Sequence, residues 1–260
     1  MNLKTISSDV VRNKIVLYRS PYDIDVECDK KTNEYELIDN SRIKVTIDTL
    51  KFLIDNNCKV LVLTWVGRPS GKDFSLSTKP HAKELSKLLK KKVEHVDECV
   101  GIRVKKKIDK MKGGDILMLE NTRFHGEDYK NDRTFSKKLT KYADIIVYDG
   151  FPQAHRNHSS TLGILKLLPS YAGFYMVKEY DVLSKLAQSP KPPFTLIVGG
   201  IKISDKLKAV INLIQKTDKI LVSGGVANIF LKASGIDIQN SIVEDSLIKK
   251  DGTSVNFLEH

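Results

Sequence analysis

The chain has 260 residues, of which 41% are hydrophobic and 29% charged, a balance too apolar for a disordered protein and ordinary for a folded one. Its 43 Lys and Arg residues outnumber 32 Asp and Glu residues, and the formal charge of +11 suits either nucleic acid or a small polyanionic ligand. Three widely spaced cysteines, Cys28, Cys58 and Cys99, form no CxxC pair, so we expect reduced thiols and no disulfide framework.

Short apolar runs predict β-strands along the whole chain. Most of these runs are continuously apolar rather than alternating, which is typical of strands that are buried on both faces. The predicted strands are Lys14–Arg19, Lys59–Thr64, Val93–Val96, Asp115–Glu120, Asp144–Asp149, Phe194–Gly199 and Lys219–Ser223.

Amphipathic segments between these runs predict helices. Strands that alternate with helices of this length predict βα units around a parallel sheet, so the fold class is α/β, with a Rossmann-like parallel-sheet N-terminal domain. Lysine runs at 90–92 and 105–107 are expected to mark solvated helix faces. The predicted helices are Ser41–Asn56, His81–Lys90, Arg133–Tyr142, Ser204–Gln215 and Gly225–Ser234.

A proline-rich stretch at residues 188–193 indicates a domain boundary, because three prolines in four residues favour an extended connector. Just before it, Gly173–Ala187 is predicted to form one helix. We therefore expect an N-terminal domain at 1–172, a connecting helix and linker at 173–190, and a smaller C-terminal α/β portion at 191–257.

Arginines recur where the predicted strands of the N-terminal portion end. Arg19 ends the first strand, Arg68 and Arg123 follow the second and fourth, and Arg156 comes shortly after the fifth. Arg42 begins the helix that follows the first strand and its loop. Ligands of open parallel sheets bind beyond the carboxyl ends of the strands, and guanidinium groups bind phosphate or carboxylate bidentately. The pattern therefore predicts an anion site.

Glycine pairs follow the predicted strands of the C-terminal portion. Gly199-Gly200 comes after the sixth strand and Gly224-Gly225 after the seventh. A glycine pair between strand and helix lets the backbone approach a phosphate and direct its N–H groups at it. Any single arginine could instead be a surface ion-pair partner and any single glycine an ordinary turn, but their recurrence at successive strand ends favours an anion site facing a phosphate-binding surface.

Five motifs, taken together and in order, resemble phosphoglycerate kinase. The resemblance runs from about Lys14 to Leu247, and the stretches Gly67–Phe74 and Gly224–Phe230 resemble the archaeal branch in particular. The motifs are Val66–Pro69, Leu119–Phe124, Ala154–Arg156, Gly199–Lys206 and Gly224–Asn228.

The resemblance implies a two-domain kinase that transfers a phosphoryl group between 1,3-bisphosphoglycerate and ADP. It implies Mg-ADP or Mg-ATP as the nucleotide, with hinge closure between the domains and no metal held by the protein itself. By motif match, 3-phosphoglycerate would bind to a basic patch of the N-terminal domain, in which Arg42 is also assigned a catalytic role. The patch would be formed by four arginines with a histidine beside it, and two aspartates would also bind the substrate. These residues are Arg42, Arg68, Arg123 and Arg156, with His155, and Asp23 and Asp25.

On the nucleotide side, the resemblance implies that Lys202 steadies the transferring phosphoryl group. Fixed cations suit this chemistry, because a phosphoryl group in transfer carries charge on its oxygens and needs no covalent intermediate with the protein. The residues implied to bind the nucleotide are Gly199, Gly200, Lys202, Asp205, Lys206, Gly224 and Gly225.

The chain departs from the family pattern near the patch. The family carries an Asp and an Asn shortly after the first strand. An ungapped alignment puts Pro21 at the Asp position, whereas a two-residue insertion, which we favour, puts Asp23 and Asp25 at the two positions. The family's His two residues before Gly-Arg-Pro is Trp65 here, and an indole donates one hydrogen bond but carries no charge.

The C-terminal part also departs from the family. Its later Gly-Pro-x-Gly-x-Phe-Glu run and its Gly-Gly-Asp-Thr-like phosphate loop are not found, and residues 258–260 resemble the start of a polyhistidine tag. We therefore expect a partial second domain. Three explanations stay open: an engineered piece of a longer kinase, a naturally shortened relative, or a sequence that continues beyond these residues.

Three hypotheses follow about function. The first is phosphoglycerate kinase activity, and the second is a shortened, catalytically impaired relative that binds 3-phosphoglycerate or another anion without turnover. The third, a nucleic-acid binder, is disfavoured because no stacking motif or reader module is recognised. We expect a cytoplasmic monomer that binds neither nucleic acid nor membrane. Glu120 and Asp149 are expected to hold loops, and His125 and His158 to be polar residues near the patch.

Overall fold

The computed structural model describes residues 3–32, 34–201, 206–243, 246–248 and 254–256. The chain divides into two compact units, Met1–Asp181 and Val182–His260. The division falls within the helix Phe174–Gln188, in the segment that the sequence assigns to the connection between domains. Among the described helices, none combines the length and the apolar character needed to cross a membrane.

The first unit is built from short strands and the helices between them. Its strands are β1 (Ile15–Arg19), β2 (Val26–Asp29), β3 (Glu34–Leu37), β4 (Lys59–Leu63), β5 (Val93–His95), β6 (Ile116–Met118), β7 (Ile145–Tyr148) and β8 (Ser170–Ala172). Its helices are α1 (Ser8–Val11), α2 (Ser41–Lys44), α3 (Ile47–Asp55), α4 (Lys79–Leu89), α5 (Ile102–Lys110), α6 (Gly126–Tyr129) and α7 (Arg133–Thr140), followed by α8 (Phe174–Gln188).

A six-stranded parallel sheet in the order β5-β6-β4-β1-β7-β8 organises the first unit. Alternate residues of β1 enter different apolar clusters: Val16 packs on one face with Leu50 of α3. Leu17 packs on the other face with Ile108 of α5 and Phe135 of α7. Both faces of the sheet are therefore covered, which explains why the central strands are continuously apolar.

The predicted α/β class and parallel sheet are confirmed, and each predicted strand is present with slightly shorter ends. The prediction of one helix at Ser41–Asn56 is wrong, because the structure has α2 and α3 there. Between them, the Thr46 hydroxyl donates to the Ile43 carbonyl at 2.8 Å and lies 2.6 Å from the Tyr22 hydroxyl. Such local side-chain bonding competes with a continuous helix. Helix α5 and the antiparallel hairpin β2–β3 were not predicted as elements.

The second unit contains β9 (Thr195–Val198) paired in parallel with β10 (Lys219–Val222), and the helices α9 (Leu207–Ile214) and α10 (Gly224–Ala233). A separate antiparallel pair joins β11 (Ser246–Ile248) and β12 (Ser254–Asn256). One face of the β9–β10 pair packs with both helices, through a small cluster that includes Val198, Val210, Val226 and Ile229. These helices confirm the α/β character predicted for the C-terminal portion.

Candidate functional site

The side chains of the candidate site lie at the carboxyl ends of the central strands. Arg19 ends β1, Trp65 and Gly67 follow β4, and Arg123 lies in the 3₁₀ turn Thr122–Phe124 after β6. Because these strands are parallel neighbours, their carboxyl ends lie at the same end of the sheet. Residues far apart in sequence therefore meet at one end of the first unit.

The indole of Trp65 is the centre of this cluster. The guanidinium carbon of Arg19 lies 4.3 Å from the centroid of the indole ring, and that of Arg123 lies 4.2 Å from it. At these distances the negative π face attracts a cation. The indole Nε1–H also donates a hydrogen bond to Asp23 Oδ2 at 3.0 Å. Trp65 thus holds two cations and one carboxylate in a buried setting, where such contacts are stronger than in water.

Asp23 joins the segment after β1 to the loop after β4. Its Oδ1 accepts a hydrogen bond from the Gly67 amide at 2.9 Å, and Arg123 Nη1 lies 3.9 Å from its Oδ2. Arg123 Nη1 also donates to the Gly67 carbonyl. The place of Asp23 inside the cluster supports the alignment with a two-residue insertion.

Two buried arginines carry N–H groups that no residue in the described part of the chain accepts. Arg19 is fully buried, with its Nε donating to the Ser160 carbonyl at 2.9 Å and its Nη1 to the Ser20 carbonyl, while Nη2 has no partner among the described residues. Arg123 is 6% exposed, and its Nε is likewise unpartnered. Burial lowers the pKa of both guanidinium groups, but arginine stays protonated at neutral pH. Buried donors of this kind favour an anionic ligand.

Arg68 and Arg156 are exposed and lie close enough to the cluster to act on it electrostatically. The positive charges of Arg123 and Arg68 oppose the rise in pKa that burial causes at Tyr129. Arg156 adds to the lowering of the pKa of Arg123 and of His158. Both rim arginines therefore belong to the same electropositive region as the buried pair.

Arg42 reaches the cluster from α2, because its Nη1 donates to the main-chain carbonyl of Asp23. Its charge also opposes the rise in pKa of Tyr175. By contrast, Asp25 and His155 are exposed, and no described hydrogen bond or ion pair connects either side chain to the cluster. The structure thus brings Arg42 together with the cluster and leaves these two predicted site residues outside its contacts.

His158 packs inside the cluster. Its ring centroid lies 4.9 Å from that of Trp65 and 5.3 Å from that of Tyr129, and its Nδ1 is 4.0 Å from Asp128 Oδ2. Burial lowers the pKa of His158, and the nearby arginines lower it further, so the ring is neutral at pH 7. His158, which the sequence indicates as a polar residue near the patch, is therefore an uncharged residue that packs against the indole. His125 instead packs against another aromatic ring, that of Phe135.

Asn121 fixes the loop that carries Arg123. Its Oδ1 accepts hydrogen bonds from the amides of Val66 at 3.1 Å and Arg123 at 3.0 Å. Its Nδ2 donates to the carbonyls of Val66 at 2.8 Å and Leu76 at 2.9 Å. One buried amide therefore connects the loops after β4 and β6 and sets their spacing.

Glu120 and Asp149 hold loops, as the sequence indicates. Glu120 Oε1 accepts from the Thr78 amide at 2.8 Å. Asp149 accepts from the Tyr18 hydroxyl and from the Met176 amide, at 2.8 and 2.9 Å. Burial raises the pKa of Asp149, while these donors oppose that rise.

Sequence reasoning did not assign Arg19, Asp128 or Ser160 to the site. Arg19 had a usable signal, since it ends a predicted strand at the same end of the sheet as the others. Asp128 is buried in the short helix α6 and accepts from Thr122 Oγ1 and from the Ser160 amide, each at 2.8 Å. No sequence pattern marks this role, because it depends on two loops meeting in space.

The predicted phosphate-binding glycines lie in the second unit. Gly200 and Gly224 have φ values of +121° and +61°, which favour glycine. A Cβ atom at Gly225 would lie 2.6 Å from the Ile201 carbonyl oxygen, and one at Gly200 would lie 3.2 Å from Lys206 Nζ. The loops after β9 and β10 therefore approach each other with room only for backbone, at the start of α10. Lys202 and Asp205 lie outside the described residues.

Comparisons with known proteins agree with these features. A profile of the family described as phosphoglycerate kinase matches residues 6–256. The phosphoglycerate kinase of Moorella thermoacetica is 39% identical over 245 residues, which cover 94% of this chain and 61% of that protein. That of Dictyoglomus turgidum is 43% identical over 209 residues, covering 80% and 53%. The chain thus spans about 60% or less of the length of these curated relatives.

Solved structures give the same result. Phosphoglycerate kinase from Pyrococcus horikoshii superposes with a TM-score of 0.77 at 33% identity, covering 88% of this chain and 57% of that one. The enzyme from Coxiella burnetii also gives a TM-score of 0.77, at 30% identity, covering 94% and 60%. The archaeal structure is 33% identical to this chain and the bacterial structure 30%. Identities this similar do not show whether the chain resembles the archaeal branch more than the bacterial one.

Proposed function

Because the chain belongs to the phosphoglycerate kinase family, we propose that the whole protein transfers a phosphoryl group between 1,3-bisphosphoglycerate and ADP. In this reaction the bond between phosphorus and the acyl oxygen of the bisphosphoglycerate breaks. A bond forms between phosphorus and an oxygen of the β-phosphate of ADP, and 3-phosphoglycerate leaves as a carboxylate. The reaction belongs to glycolysis, and we place it in the cytoplasm, in a monomer that binds neither nucleic acid nor membrane.

The acid substrate binds, in this proposal, to the arginine cluster around Trp65. The observation that carries the proposal is the pair of buried guanidinium groups of Arg19 and Arg123, held on one indole with N–H groups that no described residue accepts. Arg42, Arg68 and Arg156 add exposed cations, which attract and orient a polyanion. Asp25 and His155 remain proposed contacts at the rim.

The nucleotide phosphates bind, in this proposal, at the two glycine loops of the second unit. The positive φ values of Gly200 and Gly224 support close approach of a phosphate to the backbone, and the packing of Gly225 against the Ile201 carbonyl oxygen holds the two loops together. Gly199 belongs to the same turn, Lys206 and Asp205 are assigned to the phosphates by motif match, and Mg²⁺ arrives with the nucleotide. Lys202 is assigned to the phosphoryl group in transfer, where a fixed cation offsets developing charge.

A coupled assay with 3-phosphoglycerate and Mg-ATP tests the proposal. The expected result is turnover that Lys202→Ala reduces by at least a hundredfold, because removing one fixed donor from a transition state has effects of about this size. Lys216→Ala serves as the control, because it also removes one positive charge from the second unit. Saturable binding of 3-phosphoglycerate by the whole protein without turnover would contradict the kinase assignment.

A further inference from the structure

A groove of about 1010 Å³ runs along the sheet edge formed by β5, and none of the arginines proposed to bind 3-phosphoglycerate lines it. Both Glu94 and His95 line this groove. Successive side chains of a strand point to opposite faces of the sheet, and β5 is the edge strand, so lining by both residues is consistent with a groove that reaches this edge.

The backbone of β5 offers hydrogen-bonding groups to this groove. Among the described strands, β5 pairs only with β6. The Val96 amide donates to the Met118 carbonyl of the β6 segment at 3.1 Å, so the neighbouring amide and carbonyl of His95 face away from β6. The Val93 amide faces the same way and already donates to Ser86 Oγ at 3.3 Å. The amide and carbonyl of His95 are therefore the groups through which the edge of β5 can accept another strand.

One wall of the groove is a basic stripe of α5. Arg103, Lys106, Lys107 and Lys110 follow the i, i+3, i+4, i+7 spacing of one helical face, and all four line the groove. The other side of α5 buries Val104 and Ile108 in the core of the first unit, which fixes the direction of the stripe. The lysines at 105–107 are all exposed on α5, which confirms the expected solvated helix face, and two of them line the groove.

The acidic groups around the groove already have partners. Glu94 pairs with Lys92 at 3.0 Å and with Lys107 at 2.8 Å, and Asp97 pairs with Arg103 at 2.9 Å. The remaining acids, Asp115 and Glu120, accept hydrogen bonds from the amides of Lys112 and Thr78 respectively.

The net charge of the groove lining is positive, because six Lys and Arg side chains line it against four Asp and Glu side chains. Lys79, Lys106 and Lys110 also line it, and within the described part of the chain none of their amines has an acid within 4.0 Å.

We propose that an extended acidic peptide segment of a partner protein adds to β5 as a further strand, with its carboxylates toward Lys79, Lys106 and Lys110. Short strands and lysines at a sheet edge keep apolar and basic strands away, and the same lysines select for an acidic one. The outward-facing amide and carbonyl of His95 favour a peptide over a polynucleotide, which has no matching backbone. The proposal does not depend on the kinase activity.

A labelled ten-residue peptide of alternating Glu and Val tests the proposal by fluorescence anisotropy. The expected result is saturable binding that Lys106→Gln with Lys110→Gln weakens by roughly tenfold, because two charge contacts are lost. The matched control is Lys105→Gln with Lys112→Gln, which removes the same charge from exposed positions that do not line the groove. The control pair is expected to keep the affinity within twofold.

Methylation of alternate backbone nitrogens of the peptide separates strand addition from charge attraction. We expect the methylated peptide to lose binding, and the unmethylated one to slow amide hydrogen exchange at residues 92–97. Equal binding of both peptides, or no binding of the acidic peptide at millimolar concentration, would overturn the proposal. Binding of a ten-nucleotide oligothymidine in place of the peptide, with the same dependence on Lys106 and Lys110, would also overturn it.

Discussion

Trp65 stands where the motif resemblance leads us to expect a histidine, and the structure shows what the indole does at this position. A histidine supplies charge to a substrate, whereas the indole supplies a surface on which Arg19 and Arg123 are held at 4.3 and 4.2 Å. The nearby His158 is kept neutral by burial, so the positive charge of the cluster comes from arginine alone.

Trp65→Phe should weaken binding of 3-phosphoglycerate by roughly tenfold. The variant loses the indole donor to Asp23 Oδ2 and has a weaker π face under the two arginines. Isothermal titration calorimetry measures the affinity, with Tyr35→Phe on the exposed hairpin as the control. Unchanged affinity in Trp65→Phe would show that the indole does not position the arginines.

His81 makes the first unit sensitive to acid. The ring is completely buried in α4, and burial lowers the pKa of His81 to about 4, although the backbone of Ile24 and the charge of Asp23 oppose the fall. In the unfolded chain the pKa is about 6.5, so between these values the unfolded state binds more protons and stability falls as the pH falls.

The free energy of unfolding should therefore drop by about 2 kcal/mol more in the wild-type protein than in His81→Phe between pH 7 and pH 5. Urea titrations at several pH values measure the free energy of unfolding of both proteins. Subtracting the values of His81→Phe from those of the wild-type protein removes the contribution of the other titratable groups. Parallel curves for the two proteins would contradict the assignment of the low pKa to His81.

At the scale of elements, the strands were predictable because both faces of the sheet are covered and every central strand is apolar throughout. The break between α2 and α3 was not predictable, since it depends on a hydroxyl contact between Thr46 and Tyr22 across the fold. The hairpin β2–β3 was missed because its strands are short and mostly exposed, so they lack an apolar pattern.

The candidate site was likewise predictable from the sequence only in part. Arg42, Arg68, Arg123 and Arg156 could be found from their positions at strand ends and helix starts. The stacking of two arginines on Trp65 and the support from Asn121 depend on side-chain geometry, which no spacing in the sequence encodes.

Gly225→Ala should damage the paired loops of the second unit. The added Cβ would lie 2.6 Å from the Ile201 carbonyl oxygen, so the backbone must shift, at a cost of about 1–3 kcal/mol. Calorimetric titration with Mg-ADP and urea unfolding measure the loss of affinity and of stability. Gly71→Ala, whose Cβ would meet no atom within 4 Å, is the control. Equal Mg-ADP affinity and equal stability of the two variants would contradict a close approach of the loops after β9 and β10.

At the scale of the whole molecule, the two units differ in the size of their apolar cores. The first unit has two large clusters, one on each face of its sheet. In the second unit the described core is small, and Ile197 and Leu221, opposite each other in register, are 73% and 53% exposed. A parallel pair with one bare apolar face gains little from burial.

Amide hydrogen exchange should therefore be faster in β9 and β10 than in β1 and β4 by at least a hundredfold. The reason is that the free energy of opening follows the apolar area buried in each unit. Mass spectrometry of peptides from both units measures the rates, with β1 as the internal reference. Equal protection of the two sheets would contradict the difference in core size.

The central claim, that the arginine cluster binds the acid substrate, can be tested through its own fluorophore, because Trp65 is the single tryptophan of the chain. Titration with 3-phosphoglycerate at constant ionic strength should produce a saturable change in tryptophan emission. Arg68→Gln and Arg156→Gln should each weaken the response at least fivefold, whereas Arg103→Gln on α5 should not. An emission that stays constant, or a response equal in all variants, would contradict the account.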